Sequence, residues 1–363
     1  MSRNTPGRGL VVMAGGGTGG HVIPGIAVAR ELSRRGCEVL FVGTERGVEN
    51  RMVPAAGFRL EKIRVGGIKG LGVLTRITSV WRLLSETMEM VVQFGKWEPV
   101  AVFSMGGYVA GPPVLAALLR GLPLVVMEPN AMPGVTNRWI GRWVTRALIS
   151  FEETARFFPP GRTELTGRPV REDFFTLRPK TSGPFTVLIT GGSQGSRTLN
   201  EAARQSWPLF REAGLPVHFI HQTGTPMYES IAADFRASGM EGEVIEFITD
   251  MPAAFGRADL IVCRSGGTVS EIAAAGKPSI LIPYPFAADQ HQLRNAEAFE
   301  RAGAAQLSLD KDWNGQRFFE AVRDLHADRA GLAAMGEAAR RLARPGAAAR
   351  AAEILVDLAE AGR

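Results

Sequence analysis

The sequence predicts an α/β protein made of two doubly wound parallel sheets facing a central cleft. Short apolar runs alternate with helical stretches along most of the chain, a pattern of parallel strands covered by helices on both faces. A glycine-rich turn follows the first apolar run, and a second follows the run where the pattern restarts mid-chain. At 363 residues the chain also exceeds what one core ordinarily organises, so two domains are expected.

The elements follow in order. Leu10–Ala14 reads as the first strand and Gly15 to Gly20 as its turn, with a helix from about Pro24 to Arg35. Cys37–Val42 is the next strand. Val100–Ser104 is a buried strand, followed by glycines and by a helix that opens at Pro112 and Pro113. Pro123–Met127 and Ala147–Ser150 complete the first half. The stretch Glu172–Pro184 is polar and contains proline, which makes it the linker and sets domains at 1–171 and 172–345. The pattern restarts with the strand Thr186–Thr190, the turn Gly191–Gly195 and a helix from Leu199. Val217–His221, Val244–Ile248, Leu260–Cys263 and Ser279–Pro283 continue it. The last helix, Ala347–Ala361, could pack on either half; a return of 346–363 onto the first domain is one of these arrangements.

Composition narrows the class. With 45% hydrophobic and 21% charged residues the chain is not intrinsically disordered. A net charge of +6 suits phosphate-bearing substrates, nucleic acid or an anionic membrane face without choosing among them. An RNA-binding protein would need clustered Arg and Lys with stacking aromatics; the three Tyr are scattered, so no nucleic acid partner is expected. Cys37 and Cys263 alone make neither a disulfide framework nor a zinc site, as expected of a reducing compartment. The polar stretch Met1–Gly9 lacks the apolar core of a signal peptide. Pro99–Leu119 is uncharged and nearly long enough to span a bilayer. Its Gly106, Gly107, Gly111, Pro112 and Pro113 would forfeit helical hydrogen bonds there, so no span is expected. Between Ile68 and Arg82, apolar residues at roughly helical spacing interleave with Lys69, Arg76 and Arg82. That fits a segment lying on an anionic membrane surface, and equally an amphipathic helix covering a core.

Three segments carry chemistry. Gly15-x-Gly17-x-x-Gly20 formally matches a dinucleotide fingerprint, with Glu45 after the next strand where a ribose-binding acid would sit. A purely structural tight turn fits the same residues. His21, directly after the run, could accept a proton near neutral pH. In the second half, Arg264-Ser-Gly-Gly267 turns into a helix over Thr268–Ala275 that Gly276 ends. Backbone N–H groups at Gly267 and Thr268 could hold a diphosphate. Glu271, one turn in, could accept from both hydroxyls of a ribose, or could simply complement the helix dipole. Asp289-Gln-His-Gln292 and Asn295 place amides at the start of another helix, where they could bind sugar hydroxyls or merely begin the helix. Asp310-Lys-Asp312 could hold a metal–diphosphate but reads better as a solvated loop. His218 and His221, three apart on one strand, face opposite ways, so no metal site is expected.

Taken together, several ordered motifs resemble one family. Gly16-Gly-Thr-Gly-Gly-His-Val-Ile-Pro-Gly25, Met105-Gly-Gly-Tyr-Val-Ala-Gly-Pro112, Glu128-Pro-Asn130 with Thr136-Asn137, Gly191-Gly-Ser-Gln-Gly195 and Arg264–Glu271 look like the MurG family. These are the UDP-N-acetylglucosamine:lipid I N-acetylglucosaminyltransferases of peptidoglycan synthesis, and the resemblance runs from about Leu10 to the C-terminus. It implies a GT-B fold of two Rossmann-like domains, an N-terminal acceptor and membrane-associating domain and a C-terminal donor domain. It also implies metal-independent, cofactor-free inverting transfer at the cytoplasmic face of the bacterial inner membrane, by a peripheral protein. The partners it implies are UDP-N-acetylglucosamine and a polyprenyl-linked muramyl-pentapeptide acceptor.

Residue by residue, the resemblance implies donor contacts at Thr18, Gly19, Gly20, Asn130, Arg171, Ser193, Ile248, Gly267, Thr268, Val269, Ser270 and Gln292, with Glu271 on the uridine ribose. His21, Tyr108, Glu128 and Asn137 would face the acceptor, with His21 the first candidate for catalytic base and Glu128 the second. The sequence departs from the family pattern at Pro129, Arg168 and His291, where Gln, Asn and Gln are usual, and its Ser265–Thr268 turn is one residue shorter. Competing expectations are a GT-B transferase acting on another lipid, a UDP-sugar epimerase of similar shape, and a dinucleotide-dependent oxidoreductase using the first glycine turn. The last gives no reason for the Glu271 helix or the Gln292 segment.

Overall fold

The computed structural model describes residues 8–45, 47–64 and 73–361. Its chain divides into two compact units. One takes the chain up to Val170 and again from Gly346 onward; the other is Arg171–Pro345.

Among the described residues, the first unit holds β1 (Leu10–Gly15), β2 (Glu38–Thr44), β3 (Arg59–Ile63), β4 (Ala101–Gly106), β5 (Leu124–Glu128), β6 (Arg146–Ile149) and β7 (Thr163–Leu165). They form one parallel sheet in the order β3-β2-β1-β4-β5-β6-β7. The second unit repeats the plan with β8 (Phe185–Thr190), β9 (Val217–Gln222), β10 (Glu241–Ile245), β11 (Leu260–Cys263), β12 (Ser279–Leu281) and β13 (Gln306–Leu307). These are also parallel, in the order β10-β9-β8-β11-β12-β13. In each sheet the order reverses beside the first strand, between β1 and β4 and between β8 and β11. Loops diverge there at the carboxyl ends and leave a crevice for a ligand.

Why the central strands read as unbroken apolar runs is visible in β1. Val11 and Met13 join the core on one face and Val12 and Ala14 the core on the other, so neither side of the strand meets water. The helix Ala347–Ala361 closes the first of these cores, burying Ala351, Ala352 and Leu355 against the helix Gly19–Arg34. Arg350 adds a two-pronged ion pair to Glu164 in the middle of β7.

Several boundaries differ from the sequence reading. The strand expected at Val244–Ile248 is instead Glu241–Ile245, and β3, β7 and β13 carry no apolar run at all. All four lie at or near sheet edges, where one face is solvated and the apolar signal fades. The linker is partly structured. Glu172–Phe175 is a helical turn whose Phe174 is buried edge-on against Phe255, 5.0 Å between centroids, and Lys180 pairs with Asp259 at 2.6 Å. Asp310 does not lie in a solvated loop; it pairs with the Arg264 guanidinium, which also donates to the carbonyls of Ile282 and Pro283. The first helix begins at Gly19, not Pro24. Of the stretch Ile68–Arg82, residues 68–72 lie outside the described residues, and the remainder opens the helix Val73–Trp97.

Candidate functional site

In the first unit the glycine turn after β1 is built around a carboxylate. Glu49 is fully buried; its Oε2 accepts the Gly17 N–H at 2.8 Å and its Oε1 accepts both the N–H and the hydroxyl of Thr44 at 2.8 Å. Burial pushes the Glu49 pKa up, but these donors, Thr44 first, outweigh it and hold the carboxyl below the usual carboxylate range. Glycine is required around it because a Cβ at Gly16 would lie 2.5 Å from Oε1, and Cβ atoms at Gly43 and Gly47 would also strike this side chain. Glu45, where a ribose-binding acid would sit, is exposed and 4.0 Å from Arg64. Glu49 escaped the sequence reading, although an acid bracketed by Gly43 and Gly47 just after β2 was a usable signal.

Beyond Gly17 the chain enters the helix at an extended Thr18, leaving the N–H groups of Gly19 and Gly20 in the first turn without intrahelical partners. The His21 Nδ1 lies 3.2 Å from the Gly16 carbonyl and 3.4 Å from the Thr18 hydroxyl. Donation from Nδ1 to that carbonyl places the basic lone pair on Nε2. Pro24 sits inside this helix and has no N–H for the Gly20 carbonyl; the Arg168 guanidinium donates to it instead, at 2.9 Å. A cation at a helix N-terminus opposes the dipole by roughly 0.3–1 kcal/mol. A hydrogen bond from a charged donor contributes roughly 1.5–3 kcal/mol, so the bond decides Arg168's placement.

The paired glycines after β4 gather the other candidates. A Cβ at Gly107 would be 3.3 Å from the His21 ring, and one at Gly106 3.2 Å from the Asn137 amide; both have positive φ, +81° and +79°. Half-exposed Tyr108 stands beside Gly17. Asn137 donates to Glu128 Oε2 at 3.0 Å, alongside the Gly134 N–H at 3.0 Å, while Oε1 accepts the Asn130 N–H at 3.0 Å and its side-chain amide at 3.1 Å. Burial lifts the Glu128 pKa above the usual carboxylate range against the pull of these four donors. Both oxygens are thus spent on shaping the Glu128–Asn137 loop. Among candidates in this unit, Thr18, Gly19, Gly20, His21, Tyr108, Asn130 and Asn137 lie past the carboxyl ends of β1, β4 and β5, and Glu128 is the last residue of β5.

The second unit differs in kind. The turn after β8 is clamped from behind: Gln222 takes the Thr190 hydroxyl at 2.9 Å and donates to the Gly192 carbonyl at 2.9 Å. A Cβ at Gly195 would collide with the Thr223 carbonyl. Ser193 is displayed on this clamped loop, and Ile248 is buried just past β10. After β11, the helix Thr268–Ala275 starts at Gly267 with no side-chain cap and ends at Gly276, φ +60°. The Ser265 hydroxyl donates to the Gln292 carbonyl at 2.7 Å, and the Asn295 amide to the Ser265 carbonyl at 3.0 Å. These bonds tie the next helix, His291–Arg301, to that turn. Gln292 Oε1 accepts the Tyr284 N–H at 3.0 Å, while its Nε2 would be 3.6 Å from a Cβ at Gly266. Gly267, Thr268, Val269, Ser270, Glu271 and Gln292 therefore meet around one uncapped helix start. Arg171 begins the turn Glu172–Phe175, which packs beside that helix, and pairs with Asp173 at 2.5 Å. His221 is buried with Nε2 2.9 Å from Asn200, and burial pushes its pKa down to about 3. Among the described residues no group of His, Cys, Asp and Glu sits together as a metal site would, and Cys37 and Cys263 are buried thiols.

Two doubly wound parallel sheets in one chain, with chemistry-bearing loops at the carboxyl ends of each, are the build of a GT-B glycosyltransferase. Residues 11–149 match the glycosyltransferase family 28 N-terminal domain and residues 186–353 its C-terminal domain. The chain is 60% identical, over 96% of each protein, to the UDP-N-acetylglucosamine--N-acetylmuramyl-(pentapeptide) pyrophosphoryl-undecaprenol N-acetylglucosamine transferase of Solibacter usitatus (strain Ellin6076). It is 41% identical to the protein of that name from Myxococcus xanthus (strain DK1622), over 96% of this chain and 92% of that one. The crystal structure of Acinetobacter baumannii MurG superposes with a TM-score of 0.84 at 30% identity, covering 96% of this chain and 99% of that one. The chain belongs to the MurG family within glycosyltransferase family 28.

Glu49→Gln keeps the shape but presents an amide to one of the two donor sets. It is expected to cost about 1–3 kcal/mol of stability at pH 7, the cost of a buried unsatisfied donor. Because the folded pKa of Glu49 lies below its unfolded value, its contribution is lost as pH falls through the folded pKa. The gap between wild type and variant should therefore close on acidification below about pH 4. Urea unfolding of both proteins across that range checks it, and a gap independent of pH would refute the assignment.

Proposed function

We propose that the chain transfers N-acetylglucosamine from UDP-N-acetylglucosamine to the undecaprenyl-pyrophosphoryl-linked muramyl-pentapeptide, lipid I, giving lipid II in peptidoglycan synthesis. The observation that carries the substrates is the near-full-length 60% identity to a transferase named for that reaction. What supports the division of labour is the surroundings of two turns. The turn after β1 spends its Gly17 N–H on the internal carboxylate of Glu49, and the turn after β11 starts a helix at Gly267 that has no side-chain cap and suits an external anion.

On this reading the second unit binds the donor. N–H groups at Gly267 and Thr268 face the diphosphate. Val269 and Ser270 border it from the same helix start, with their own N–H groups bonded to the carbonyls of Gly266 and Gly267. Glu271 accepts from both ribose hydroxyls, and Gln292 donates to the sugar. Ile248 borders the uracil, and Ser193 and Arg171 complete the donor contacts. In the first unit Thr18, Gly19, Gly20 and Asn130 reach the donor sugar, while Tyr108 and Asn137 face the acceptor. The acceptor hydroxyl oxygen attacks the anomeric carbon as its bond to UDP breaks, inverting that centre to a β-linkage. The hydroxyl proton passes to Nε2 of His21. The leaving diphosphate gains negative charge, and the helix start opposite it is fixed before the reaction begins. Glu128, with both oxygens engaged by N–H donors, acts as a positioning group for Asn130 and Asn137 and not as the base.

The acceptor is a lipid, which sets where the enzyme works: at the cytoplasmic face of the inner membrane, as a peripheral protein. Among the described residues no helix is long and apolar enough to cross a membrane. Trp81, Leu84, Met88 and Val92 lie exposed along one stripe of the helix Val73–Trp97. Trp139 and Trp143 are exposed in the same unit, with the Arg142 guanidinium 4.1 Å over the Trp143 ring. Apolar stripes with arginine beside them suit an anionic headgroup layer.

Calorimetric titration tests the donor half. Glu271→Ala is expected to weaken UDP binding by about 10–100-fold, the loss of one or two bonds to a charged acceptor. His21→Ala should leave that affinity intact but lower turnover on lipid I by about 10²–10⁴-fold. Unchanged UDP affinity in the first variant or unchanged turnover in the second would overturn the corresponding role. Trp81→Asp with Met88→Asp should release the protein from vesicles containing anionic lipid while UDP affinity holds.

A further inference from the structure

We propose that Arg168 is a positioning residue, and that it holds the first turn of the helix Gly19–Arg34 by donating to the carbonyl that Pro24 leaves without its helical partner. The inference deepens the reading of His21 as the base, and rests on it for its catalytic consequence.

In a regular helix the Gly20 carbonyl would accept the N–H of residue 24. Proline has none, and its ring crowds the carbonyl one turn back, so this bond is missing in the turn that bears His21. The Arg168 Nη2, 2.9 Å from the Gly20 oxygen, makes a charge-assisted replacement. Arg168 is brought there by the chain leaving β7. Gly167 turns at φ +76°, and its N–H donates to the Ile149 carbonyl at the end of β6 at 3.0 Å. The anchor therefore comes from a strand on the far edge of the same sheet, 148 residues along the chain.

This matters to His21 because its side chain has two supports of different origin. The ring is oriented by Nδ1 against the Gly16 carbonyl on the turn, while its backbone rides on the first helical turn directly after Gly20. If that turn frays or tilts, Nε2 moves relative to the rest of the site, and small displacements of a base cost rate steeply.

The alternative role for an arginine here is direct contact with an acceptor anion, and Pro24 separates the two. Arg168→Ala is expected to lower kcat on lipid I by about tenfold to a hundredfold with KM for UDP-N-acetylglucosamine unchanged. It should also speed amide hydrogen exchange in the segment 19–30. Adding Pro24→Ala supplies an N–H to the Gly20 carbonyl and should restore both kcat and exchange protection. Arg168→Ala with normal exchange, or a loss of kcat that Pro24→Ala does not rescue, would overturn the proposal and point to anion contact. Hydrogen exchange reads the anchor without catalysis. If His21→Ala proved fully active while exchange still showed the rescue, the reading of the base would fail and the anchor would stand.

Discussion

The buried carboxylate of Glu49 is the interaction on which the first unit's site depends. It accepts the Gly17 N–H and both donors of Thr44, and in doing so draws the turn after β1 onto the end of β2. Glycine at 16, 43 and 47 follows from its volume, since each Cβ would enter the space the carboxylate fills. A turn that keeps its own anion has one fewer N–H for a phosphate.

The second unit shows the same topology used the opposite way. Its helix after β11 begins at Gly267 without a side-chain cap, so the dipole and the orphan N–H groups stay directed outward. Rigidity comes from behind, through Ser265 and Asn295, which lock the next helix to the turn without occupying the helix start. The turn after β1 thus has one N–H taken by an internal carboxylate, while the helix start after β11 is open to an anion. That difference lies in a handful of side chains, and it matches a reaction in which only one substrate leaves as a diphosphate.

Much of this was legible from residue order. Central strands buried on both faces need continuous apolar runs, so β1, β4, β5, β8, β11 and β12 stood out, as did the helix bounded by Gly267 and Gly276. Edge strands such as Arg59–Ile63 and Thr163–Leu165 did not, because half of each meets water and no periodic apolar signal survives. The helix start at Gly19 was hidden by Pro24, which normally marks a boundary. It is tolerated in the interior because a guanidinium distant in sequence serves the carbonyl it orphans. The candidate site residues could be named from the sequence because glycine turns, an acid in a first helical turn and amides near helix starts are local patterns.

What the sequence determined by itself, then, was the repeated α/β plan and the glycine turns, because each is set by neighbours within a turn or two of the chain. What the tertiary structure decided was which polar groups are consumed internally. Glu128 accepts from four N–H donors, Glu49 holds the first turn, and Asp310 is drawn to Arg264. The reason is that residue order shows neither how a loop folds back on an acid, as at Glu128, nor which distant segment will meet one, as for Asp310 and Arg264 or Glu49 and Gly17. Only the folded sheet brings such partners within reach.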